Sequence, residues 1–101
     1  MRMLVMFDLP VATPEDRRNY RRFRKMLIKN GFVMMQESIY TKIVLTPSAE
    51  DSMLSVLKRN KPSEGLVQVL TITEKQFARI EYLSGSFETD VVHSDERLVV
   101  L

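Results

Sequence analysis

The first ten residues, Met-Arg-Met-Leu-Val-Met-Phe-Asp-Leu-Pro, constrain this chain more than any other stretch. They form a near-continuous apolar run that ends at Pro10. An apolar run of this length, bounded by a breaker, reads as a central strand covered on both faces. Its C-terminal end delivers one carboxylate, Asp8. A charged side chain at that position does not serve packing. It either accepts hydrogen bonds from the loop between Pro10 and Thr13 or takes part in chemistry.

Thr13-Pro14-Glu15-Asp16 then signals a helix start. Thr13 suits the N-cap, Pro14 the first helical position, and the two acids the positive helix end. The helix runs to about Asn30, where Gly31 supplies a left-handed stop. At about 100° per residue, Tyr20, Phe23, Met26 and Leu27 form an apolar stripe. Arg18, Arg21, Arg22, Lys25 and Lys29 fall within an arc of roughly 100° on the far side. None of these five cations has an acidic partner four residues away. They repel one another unless an anion neutralises them. A charge run is often only a solvated helix face. Here the charge is also segregated along the chain. Residues 1–30 hold eight basic and three acidic side chains, a net +5, and the other 71 residues hold seven and ten, a net −3. Such segregation points to a polyanionic partner such as a phosphate backbone.

The stretch from Phe32 to Leu45 is a second β region, interrupted by the polar trio Gln36-Glu37-Ser38. The trio marks either a bend or the tip of a very tight hairpin; no Gly or Pro distinguishes the two. Thr46-Pro47 repeats the cap-plus-proline start. A second helix follows to about Asn60, with Met53, Leu54, Val56 and Leu57 as its apolar set. Ser63-Glu64-Gly65 turns the chain into the strand Leu66 to Thr73. Glu74 to Phe77 is expected to form a helical turn and Ala78 to Leu83 a short further strand. The tail is polar up to Glu96 and ends on Arg97, Leu98, Val99, Val100 and Leu101. An apolar terminal strand after a flexible spacer is most simply buried by adding to a neighbouring sheet edge, its own or another chain's. Two helices between strands on one small sheet predict an α+β ferredoxin-like βαββαβ sandwich with an extra C-terminal strand. The expected division is a domain over residues 1–83 and, over 84–101, a linker and strand that serve a homodimer or partner contact.

Composition excludes several classes. The chain has 101 residues, 45% hydrophobic and 28% charged, as in a soluble single domain that neither spans nor binds a membrane. The N-terminal run is too short for a signal peptide, which suggests a cytoplasmic protein. With no cysteine there is neither a disulfide framework nor a thiolate metal site. His93, the single histidine, lies in the polar tail and reads as a solvated side chain. Ser38 has no histidine in sequence reach to activate it. No glycine-rich loop is present to cradle phosphates.

Four segments together carry a resemblance. They are Phe7-Asp8-Leu9-Pro10, Arg21-Arg22-Phe23-Arg24-Lys25, Gln36-Glu37-Ser38-Ile39-Tyr40 and the stretch from Leu70 to Phe77. In order and spacing they resemble the small CRISPR-associated Cas-two family, most of all its variant from systems with a single large effector nuclease. The likeness covers essentially the whole chain. It implies a ferredoxin-like fold, a homodimer, and membership of the spacer-acquisition complex between two dimers of the Cas-one integrase. It also implies a Mg²⁺-dependent endonuclease activity on RNA or DNA, with Asp8 as catalytic residue and metal ligand. Many members carry Tyr before this aspartate; Phe7 stands there instead, so no phenolic hydroxyl is available.

Two readings follow. In one, the dimer is a basic spacer that clamps duplex DNA through Arg18, Arg21, Arg22, Lys25 and Lys29, without reading sequence. In the other, Asp8 from each of two chains holds Mg²⁺ near the dimer axis, with Arg17 or Arg21 engaging the phosphate. A single carboxylate per chain makes a poor magnesium site, so this second mechanism requires the dimer. A ferredoxin-like regulatory module is a third option, and no convergent polar cluster supports it.

Overall fold

A computed structural model describes residues 1–86. The elements run β1 (Arg2–Asp8), α1 (Pro14–Lys29), β2 (Val33–Gln36), β3 (Ile39–Ile43), α2 (Pro47–Arg59), β4 (Leu66–Ile72) and α3 (Glu74–Ala78). Each helix begins where a threonine caps it. Thr13 accepts from the Asp16 amide while Asp16 accepts from the Thr13 amide, so both donors are satisfied. Thr46 accepts from Ala49 N–H, and Thr73 and Gln76 form a second reciprocal box that starts α3. Gly31 ends α1 with φ +91°.

The four strands form one antiparallel sheet in the order β2-β3-β1-β4, which with this connectivity is the ferredoxin-like α+β architecture. The trio at 36–38 is a tight hairpin and not a bend: β2 ends at Gln36, β3 starts at Ile39, and Ser38 adopts φ +83°. A bulge between Met34 and Gln36 adjusts the register.

β1 lies in the middle, and its side chains alternate. Met3, Val5 and Phe7 are buried, whereas Arg2, Leu4 and Met6 are only partly covered and Asp8 is exposed. This corrects the expectation of a strand covered on both faces. Phe23 and Leu27 of α1 and Leu57 of α2 join the same core as Met3, Val5 and Phe7, so both long helices lie on one side. The opposite face carries neither long helix and is partly open, although Thr41, opposite Leu4, is buried there. The strand register places Leu4, Met6, Leu66, Leu70, Ile43 and Val33 on it, the last four about half exposed.

The expected strand from Ala78 to Leu83 is not formed. Ala78 closes α3, and Arg79 and Ile80 donate back to Gln76 and Phe77 in turn geometry. The capping box at Thr73 nucleates a helix that consumes the start of the presumed strand. Arg2 then fastens α3 to β1, with Nε and Nη2 on the Glu74 carboxylate at 2.9 and 2.8 Å and the guanidinium 4.0 Å from the Phe77 ring centre. The expected terminal strand of Arg97, Leu98, Val99, Val100 and Leu101, and His93, lie outside the described residues. No described helix is long and apolar enough to cross a membrane.

Two measurements check this account. Phe7→Ala removes the side chain at the centre of the core and is expected to cost about 3–5 kcal/mol in urea unfolding. The hydrogen bond from Arg2 holds the Glu74 carboxyl below its ordinary range. The latch therefore adds stability above the pH at which an unfolded glutamate titrates, and loses it as acid protonates Glu74. Because the pair is partly exposed, Glu74→Gln is expected to cost at most about 1 kcal/mol at neutral pH, a difference that closes below about pH 4.

Candidate functional site

The site candidates fall on two surfaces. On α1, burial of Phe23 and Leu27 turns the opposite side of the helix outward, and Arg18, Arg21, Arg22, Lys25 and Lys29 are all exposed there. Arg22 is steadied by its own helix, its Nη1 donating to Asn19 Oδ1 at 3.4 Å. None of the five forms an ion pair among the described residues; the one pair there is Arg2–Glu74. Like-charged neighbours at 18/22, 21/25 and 25/29 each cost about 0.2–0.5 kcal/mol. An extended row of phosphates relieves that repulsion, since it offers charges at intervals along one surface.

Arg17 stands apart from this arc. Its Nη1 donates to the carbonyls of Val11 and Ala12, both at 3.1 Å, which ties the loop after β1 to the first turn of α1. The remaining guanidinium donors are exposed.

Asp8 lies on the other surface. Phe7 points into the core, so strand alternation directs Asp8 to the open face of the sheet, opposite Leu66 of β4. Its carboxylate forms no hydrogen bond or ion pair among the described residues. The reading in which Asp8 accepts hydrogen bonds from the loop to Thr13 is thereby corrected. Thr13 N–H goes to Asp16, and Arg17 satisfies the carbonyls of Val11 and Ala12. Asp8 and the basic arc are consequently separated by the sheet and helix layers, and one chain does not bring them to a common phosphate.

An exposed, unpartnered carboxylate suits Mg²⁺, which keeps several waters and takes one or two protein carboxylates. No group of three His, Cys, Asp or Glu side chains that could hold a metal exists among the described residues. A metal at Asp8 would therefore need further ligands from water or from another molecule. Two residues at this strand end were not singled out from sequence as site elements: Gly65, packed against the Asp8 backbone, and Ser38, whose carbonyl accepts from Phe7 N–H at 3.0 Å. Left-handed turn residues were their only signal, and Ser38 lacks even the usual Gly or Asn identity. Since Asp8 supports no other group, Asp8→Asn is expected to change unfolding stability by less than about 0.5 kcal/mol in urea titration.

Comparison with known proteins accords with these features. The family model described as CRISPR associated protein Cas2 matches residues 1–80. A protein of Treponema denticola named CRISPR-associated endoribonuclease Cas2 is 55% identical over 101 residues, covering 100% of both chains. A Streptococcus mutans serotype c protein of the same name is 50% identical over 101 residues, covering 100% of this chain and 93% of its own. Among solved structures, that of Streptococcus pyogenes Cas2 at pH 6.5 superposes with a TM-score of 0.64 over 83% of this chain and 100% of that one. At 20% identity, that likeness concerns the fold. With the sheet order, the motif spacing and full-length relatives in agreement, this chain belongs to the CRISPR-associated Cas2 family.

Proposed function

We propose that this chain is a CRISPR adaptation subunit that binds duplex DNA as a homodimer and bridges dimers of the Cas-one integrase during spacer integration in the cytoplasm. The observation that carries this reading is the exposed arc of Arg18, Arg21, Arg22, Lys25 and Lys29, which has no acidic partner among the described residues. Such a face holds a phosphate backbone by charge and position and leaves the base sequence unread. The open apolar face of the sheet favours a second copy as its cover, since Leu66, Leu70, Ile43 and Val33 are about half exposed there. In this proposal Arg97, Leu98, Val99, Val100 and Leu101, with the spacer from residue 84, add a strand to a sheet edge of the partner or the integrase.

A second reading rests on Asp8. The relatives bear the name endoribonuclease, and Asp8 is an unpartnered carboxylate beside the apolar face that would pair. Two copies of Asp8, one from each chain, would hold Mg²⁺ between them. The bound ion would stabilise charge on a phosphodiester and lower the pKa of a bound water. Asp8 would hold that ion beside Leu66 and Met6, and burial of that apolar surface in the dimer would strengthen its field.

A parallel assay of two variants separates the readings. Converting Arg18, Arg22 and Lys25 together to Ala is expected to weaken duplex binding and to flatten its salt dependence by about one unit of slope per lost phosphate contact. Asp8→Ala is expected to leave DNA binding and spacer insertion intact while abolishing Mg²⁺-dependent cleavage. Binding insensitive to both salt and the triple substitution would exclude the clamp. Cleavage that survives Asp8→Ala would exclude Asp8 as the residue that carries it.

A further inference from the structure

The backbone that carries Asp8 is gripped by the turn preceding β4. Gly65 adopts φ +98°, a left-handed conformation that L side chains rarely take. A Cβ built on it would lie 2.8 Å from the Asp8 carbonyl oxygen, 3.1 Å from Leu9 Cα and 2.6 Å from Leu9 Cδ2. The Leu9 methyl is the end of a side chain, but the first two atoms are backbone of the very segment that orients Asp8. A side chain at position 65 therefore forces either the turn before β4 or the main chain at Asp8–Leu9 to shift, so the close approach seen here is lost. On the other flank the segment is fixed by Phe7 N–H to the Ser38 carbonyl at 3.0 Å, so it has no freedom to slide sideways without breaking that bond.

Gly31 provides an internal comparison. It too is left-handed, at φ +91°, but its virtual Cβ meets only Lys42, 2.6 Å from Nζ and 3.8 Å from Cε. That neighbour is the far end of a flexible side chain and can step aside. The two glycines thus share the conformational requirement and differ in what they touch.

We propose that Gly65 is a positioning residue for Asp8: the absence of a side chain at 65 lets the turn before β4 close onto the Asp8–Leu9 backbone and set the direction of the carboxylate. This inference rests on the reading of Asp8 as the metal-binding residue, and it adds a residue that acts through the main chain.

The test compares Gly65→Ala with Gly31→Ala in the full chain. Both substitutions are expected to lower the thermal unfolding temperature through strain. Only Gly65→Ala should shift the carbonyl-carbon resonance of Asp8. Only Gly65→Ala should weaken the line broadening that Mn²⁺ produces at the Phe7 and Leu9 amides. In Mg²⁺-dependent cleavage, Gly65→Ala should lower kcat about tenfold or more, as displacement of a reactive group does, with KM for nucleic acid unchanged because α1 is untouched. Should Gly65→Ala fail to fold, Gly65→Asn carries the same comparison, since Asn tolerates the left-handed backbone yet brings the same Cβ. The proposal is overturned if the Asp8 resonance and the Mn²⁺ broadening are unchanged in the Gly65 variant, or if Gly31→Ala loses kcat equally. Absence of Mn²⁺ broadening in the native chain would instead refute the metal reading of Asp8, and the carbonyl resonance would then decide the positioning alone.

Discussion

The arrangement depends on Phe7 being locked into the core. Its ring meets Phe23 edge-on at 5.1 Å and Tyr20 at 5.9 Å, and stacks on Tyr40 at 5.8 Å. These contacts join β1 to α1 on one side and to β3 on the other, in the geometries that aromatic quadrupoles favour. A strand's side chains alternate, so fixing Phe7 inward fixes Asp8 outward. The carboxylate's exposure is therefore a consequence of core packing one residue earlier. A register slip of one residue would bury Asp8 and expose Phe7, and the aromatic cluster opposes that slip.

The parts of the fold that were legible in the sequence are those with local causes. Thr13-Pro14 and Thr46-Pro47 set the helix starts, and Gly31 set a stop, because each satisfies backbone groups within its own turn. The hairpin at 37–38 was not legible. A serine occupies its left-handed position, held there with a contact from a distant strand, Phe7 N–H to Ser38 O. The misread strand after Ala78 has a related cause. Its alternating apolar residues suit a strand, but the Arg2–Glu74 bond from across the chain fixes the expected helical turn at 74–77 beside β1, and Arg79 and Ile80 donate back into its end instead of to a sheet edge. Long-range partners decide such segments, and a window of local sequence does not contain them.

The site was legible as chemistry but not as geometry. Helical periodicity alone separated the basic arc of α1 from its apolar stripe, and the structure keeps that separation. The apolar character of β1 revealed that both of its faces carry apolar side chains, yet not that the chain covers only one of them. Leu4 and Met6 are as apolar as Met3 and Val5; the difference lies in what stands opposite. Arg17 likewise reads as one more cation in the helix, and only the fold shows its guanidinium on the Val11 and Ala12 carbonyls.

The Arg2 latch determines which part of the open face is left to other molecules. Arg2 and Asp8 are the two ends of β1, which at about 3.3 Å per residue lie roughly 20 Å apart. Glu74 and Phe77 are both engaged with Arg2, so α3 covers Arg2 at the end of the face distant from Asp8, while Ile43 beside it stays half exposed. Leu66, the register partner of Asp8, remains about half exposed. In the proposed dimer, a second copy seated on this face would cover the Asp8 end along with the rest of the exposed apolar surface. Two carboxylates brought together there would lose water and repel each other unless a cation sat between them. In the proposed dimer, an apolar docking face that ends in an unpartnered aspartate would couple association to cation binding: the contact that buries Leu66 would bring the two carboxylates together.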